Sequence, residues 1–200
     1  MLFFQHFTMK NKLAGTFLLF IGLSAITDLR SQSLKSLDDN NGFKKYKLGS
    51  RFVVGMGIKH KDEEGADKVV IDYAKETIGD IPVKAIELYY LKDTLSRIIV
   101  RVSPEYHEKL IEACKSSFGP PTQDISNNAK TNFDSTFSGN LYKDDFIWKA
   151  KRLRMEYYYS YPKVSTGAYG IKSLYLAYVI NDYAQRLQRV KKGTNTAKNF

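Results

Sequence analysis

The sequence predicts an α+β domain, a mainly antiparallel β-sheet with one principal amphipathic helix on a face. Three observations carry this. Two apolar runs alternate either side of Lys92-Asp93, one amphipathic stripe of helical period covers 103–118, and tyrosine-rich alternating runs follow it. The aromatic content is 14 Tyr and 12 Phe against 1 Trp, and tyrosine suits half-exposed sheet faces because its ring packs while its hydroxyl stays wet.

Residues 1–32 read as a signal peptide. Lys10 and Lys12 form a positive start, and Leu13 to Ile26 is an uncharged apolar run of signal-peptide length, short for a bilayer span. Met9 offers a second start. No A-x-A pattern marks the cleavage site, since Leu23 stands two residues before Ala25, and Ser31-Gln32-Ser33 is another candidate. If the leader is retained, the protein is membrane-tethered instead.

Residues 33–42 are polar and read as a linker, and 43–185 as one domain. Phe43, Tyr46 and Leu48 begin it, stopped by Gly49-Ser50. Phe52, Val54, Met56 and Ile58 alternate with Val53, Gly55 and Gly57, which predicts a strand with one glycine-thinned face. Residues 60–65 are a charged loop. In 67–78, Val69, Ile71 and Tyr73 favour a strand over a helix, and Gly79 to Pro82 is a turn. A hairpin follows, with Ile86, Leu88 and Tyr90 facing one way, as do Ile98, Val100 and Val102, while Arg97 and Arg101 point the other way.

Ser103, Pro104 and Glu105 are helix-start residues. Tyr106, Leu110, Ile111, Cys114 and Phe118 form the stripe, and Gly119-Pro120-Pro121 stops it. Residues 120–140 read as a long polar loop. Three strands close the domain, over Phe146 and Trp148, over Leu153 to Tyr159, and over Leu174 to Ile180. Residues 183–187 read as a short helix or a fraying strand end, and 186–200 as a basic flexible tail.

The net charge is +10. Arg186, Arg189, Lys191, Lys192 and Lys198 follow Asp182 with no further acid, a pattern that attracts anionic surfaces. The one cysteine, Cys114, excludes an internal disulfide and a cysteine-based zinc site.

Motifs for catalysis are sparse. Gly55-Met56-Gly57 lacks the third glycine of a dinucleotide fingerprint. His60 and His107, the latter read on the exposed side of the helix, have no metal-ligand spacing with Asp62, Glu63 or Glu64. Ser160-Tyr161-Pro162-Lys163 matches Ser-x-x-Lys but reads as a turn. Asp144 and Asp145, adjacent on a strand, point to opposite faces. No cofactor is expected. The candidate ligand face is basic and aromatic, with Trp148, Arg152, Arg154, Tyr157 and Tyr158, a combination that binds by stacking and charge.

Several runs resemble a family of small exported α+β proteins of Gram-negative bacteria: Asn41 to Gly49, Ile81-Pro82-Val83 with Ile86 to Tyr90 and Leu95, Phe118 to Pro121, and Trp148-Lys149-Ala150. The resemblance spans most of 41–180 and implies export and α+β architecture; no catalytic residue carries over. The expectation is therefore an exported periplasmic or secreted protein, a non-enzymatic binding or scaffold domain. Its expected partner is an envelope protein or an anionic polymer. Nucleic acid is disfavoured by export, and a membrane enters only with an uncleaved leader. The alternative is a hydrolase of cell-wall or polysaccharide material.

Overall fold

The computed structural model describes residues 34–72, 75–132, 138–164 and 172–197. The leader and Tyr73 lie outside the described residues. The elements run α1 (residues 34–40), β1 (Gly42–Phe43), β2 (Tyr46–Lys47), β3 (His60–Lys61), β4 (Asp67–Asp72), β5 (Thr77–Ile78), β6 (Ile81–Leu91), β7 (Thr94–Val102), a 3-10 turn (Pro104–Tyr106), α2 (His107–Phe118), β8 (Gln123–Asp124), β9 (Asn127–Asn132), β10 (Ser138–Lys149), β11 (Leu153–Val164), β12 (Ser173–Ile180) and α3 (Tyr183–Ala197). This is an α+β fold dominated by an antiparallel sheet.

The main sheet has the order β3-β4-β6-β7-β12-β11-β10-β8, with β9 also on β10 and β5 on β6. Every pairing is antiparallel. The β6–β7 hairpin turns at Lys92-Asp93, both at positive φ (49° and 62°), the backbone that matches strand twist in a two-residue turn. Alternation sends Ile86, Leu88, Ile98, Val100, Met155, Tyr157, Trp148 and Leu176 to one face, where they are buried with Leu110, Ile111 and Cys114 of α2. Burial pushes the Cys114 thiol up to about 12, so it is a packing residue. Pro104 takes the first position of the 3-10 turn, but the Ser103 hydroxyl bonds Glu105 rather than capping the backbone.

Four segments differ from the sequence reading. The 33–42 linker is largely α1, with Leu37 only 1% exposed in the core. Its Asp38 carboxylate accepts backbone N–H bonds from Lys151 and Arg152, both at 3.0 Å, and from Leu153 at 3.3 Å. The 52–58 stretch is an exposed loop rather than a strand, because Gly55 and Gly57 adopt φ of 98° and 140° and leave the β region. The long polar loop carries β8 and β9, which pair with β10; part of it, 133–137, lies outside the described residues. The 186–200 tail is helical to Ala197 as α3, whose Tyr183 and Leu187 join Ala66, Tyr89, Leu91, Ile99, Ala177 and Val179 in a second apolar cluster on the opposite face.

Candidate binding face

The sheet therefore has an α2 side and an α3 side, and α3 covers only part of its own. The rest is a half-exposed field of charge and aromatic rings. At its centre is Glu87, whose side chain is 5% exposed. It follows Ile86 on β6 and so points away from the main core, where Tyr89 of the same strand and Lys68 and Arg101 of the flanking strands β4 and β7 surround it. The carboxylate accepts from the Tyr89 hydroxyl at 2.5 Å, from Lys68 at 3.0 Å, and from Arg101. Burial alone would raise its pKa, but these donors hold it down at about 2. Burial and the adjacent Glu87 carboxylate push the Tyr89 hydroxyl up in turn.

Beside this cluster Tyr158 and Tyr175 stack across β11 and β12, centroids 4.8 Å apart. Lys143 lies 4.9 Å over Tyr158, and Arg101 5.8 Å over Tyr175. Lys143 also pairs with Asp145 at 3.1 Å, and Arg154 with Glu156 at 2.5 Å. The outer surface of α3 adds Arg186, Arg189 and Lys191, all exposed, with Arg186 paired to Asp182.

The five residues of the candidate face do not form one surface. Arg154 and Tyr158 lie on this α3 side. Trp148 and Tyr157, one position out of phase with them, are 0% exposed on the α2 side, where Trp148 donates to the Gly119 carbonyl at 2.8 Å. Arg152 sits in the β10–β11 turn, bound through its backbone and guanidinium to Asp38.

No family model, curated protein or solved structure matches this chain. Any functional reading therefore rests on its own geometry.

The sequence missed a second cluster, at the α2 N-terminus. His107 is not turned to solvent. Its ring stacks on Tyr159 at 3.9 Å, its Nδ1 bonds the Tyr157 hydroxyl, and its Nε2 lies 3.4 Å from Asp144. Asp144 and Asp145 point to opposite faces as expected. Tyr159, Tyr161 and Tyr142 continue the column of rings. The signal available in sequence was the run Tyr157-x-Tyr159-x-Tyr161, one face of a strand. Burial lowers the His107 pKa against the opposing pull of Asp144 and Glu108. The unfolded chain therefore takes up this proton first, so stability present above about pH 6.5 is lost as pH falls through the lowered folded value. His107→Gln should remove that part of the slope; equal slopes in urea titrations at stepped pH would refute the placement.

Other possible centres are poorer in chemistry. Ser160-x-x-Lys163 lies inside β11 rather than in a turn. Among the described residues no group of three or more His, Cys, Asp or Glu converges as metal ligands. A cleft of about 350 Å³ between α1, β1–β2 and the end of α2 is lined by Leu37, Asn40, Gly42, Phe43, Lys44, Lys47, Phe118 and Tyr178, with no carboxylate or imidazole.

Proposed function

We propose that the chain is an exported, non-enzymatic binding domain that holds an anionic polymer of the cell envelope against its α3 side. The observation that carries this reading is the stacked Tyr158–Tyr175 pair set among cations, with Lys143 over one ring and Arg101 over the other. An acidic polysaccharide presents carboxylates to such cations, which the stacked rings hold in a row across the sheet. The α3 cations extend the field, and an open sheet face suits an extended chain better than a small molecule, which is usually held in a pocket. Hydrolysis is the weaker reading. The His107 Nδ1 is turned to the hydroxyl of Tyr157, a side chain 0% exposed, and one ring face is covered by Tyr159, so the base it offers faces the interior rather than a polymer.

The test is binding to polygalacturonate, with dextran as the neutral control. Binding should weaken as salt screens the charges. Lys143→Glu combined with Arg189→Glu should lower affinity by about tenfold or more, the ratio that 1.4 kcal/mol produces. Equal binding to dextran, or no loss on charge reversal, would sink the polymer reading. Intact mass and cell fraction test export separately: a chain starting near residues 25–33 in the periplasm supports it, a full-length chain in the membrane fraction makes the protein membrane-tethered, and a full-length chain in the cytoplasm overturns it.

A further inference from the structure

We propose that the loop 52–58 is a lipid-docking tip, which inserts its aliphatic side chains into the headgroup boundary of a bilayer. Val53, Val54 and Ile58 are 60%, 90% and 75% exposed within one turn of chain. The other large apolar residues exposed in the described chain, Val70 and Ile125, stand singly, as scattered surface residues ordinarily do.

The tip is held in place by its neighbours. Phe52 donates its backbone N–H to the Asp93 carbonyl at 3.0 Å and meets the Tyr90 ring edge-on at 5.5 Å. Met56 donates to the Val53 carbonyl at 3.2 Å, and the Phe52 and Met56 side chains pack against the core. Inward packing of these two residues displays the three between and beside them. Gly57 makes the close approach: a Cβ there would fall 2.8 Å from the Val69 side chain.

The size and shape of the tip select its occupant. A stable protein interface takes roughly 800 Å² from each partner, far more than three aliphatic side chains on a turn supply. A lipid surface closes around a small projection and needs no complementary cavity, and amphipathic elements lodge in its headgroup boundary in this way. Arg51, Lys59 and Lys92 surround the base of the loop, at the level headgroup phosphates would occupy. Lys59 and Lys61 answer Asp93 and Asp67, and the acidic turn 62–64 offsets the charge that remains, so insertion alone carries the binding.

The experiment is co-sedimentation of the exported protein with vesicles of phosphatidylcholine, and of phosphatidylcholine mixed equally with phosphatidylglycerol. Wild type should sediment with both to a similar extent, since insertion rather than charge carries the binding. Val54→Asp combined with Ile58→Asp should reduce partitioning by about tenfold or more, since each charge must be left in water or dehydrated. Both positions are exposed, so melting should not change, and polygalacturonate binding on the α3 side should persist, which separates this inference from the polymer reading. No sedimentation of wild type, or equal sedimentation of the variant, would overturn it. So would a concentration-dependent dimer that the substitutions abolish, which would assign the tip to a second copy.

Discussion

Trp148→Ala should lower the unfolding free energy by about 3–5 kcal/mol, the usual cost of emptying a large aromatic site in a core. Trp148 is 0% exposed and sits where β10 passes beneath the end of α2. Its indole N–H donates to the Gly119 carbonyl, one residue past the helix, so the side chain both fills the core and ties the helix end to the sheet. Trp148→Phe keeps much of the ring but strands that carbonyl, and should cost less in total, with about 1–3 kcal/mol of it from the unmade bond. Urea unfolding of the three proteins checks both values. A loss under about 1 kcal/mol for the alanine variant would mean that the helix is not anchored there.

Glu87 should dominate the acid limb of the stability curve. Its folded pKa is depressed, so its contribution is present above the unfolded value near 4.5 and is lost as pH falls through about 2. That interval corresponds to about 3 kcal/mol of pH-linked stability. At neutral pH, Glu87→Gln should cost about 2–4 kcal/mol, because Arg101 and Lys68 keep their charges beside a neutral amide. The variant's stability should also fall less steeply between pH 4.5 and 2 than that of wild type. Parallel curves would show that the network does not hold the carboxylate as described.

The regular elements were legible where one periodicity ran unbroken. The two hairpin arms around Lys92-Asp93, the stripe Leu110-Ile111-Cys114, and the alternation through Leu153 to Tyr159 each state which side is buried. Glu87 was not legible. Between Ile86 and Leu88 it reads as an outward polar residue, and outward it is, but its burial comes from long side chains on both neighbouring strands. His107 failed for a related reason, since its partners Asp144, Tyr157 and Tyr159 lie far along the chain on strands whose register no local pattern gives. The face chosen for ligand binding mixed two phases of alternation: Trp148 and Tyr157 share one side, and Arg154 and Tyr158 the other. One helix, α1, was legible and overlooked, and another, α3, was read only as a short alternative over 183–187. Tyr183, Leu187 and Val190 fall at helical spacing through a cationic tail, and Leu34 and Leu37 do so within a polar run; charge and turn residues masked the period in both.

The Asp38 clasp has a consequence for the order of assembly. Much of the sheet joins strands adjacent in sequence, β6 with β7 and β10 with β11, and such neighbours find each other early because little chain entropy is lost in bringing them together. The clasp instead joins residues 113 to 115 apart, and its donors, the backbone N–H groups of the turn at 151–153, are not in place until β10 and β11 have paired. Synthesis proceeds in the opposite sense. A segment made before the strands it joins is therefore among the last to be secured, and Leu37 must wait exposed until much of the sheet has formed around its place.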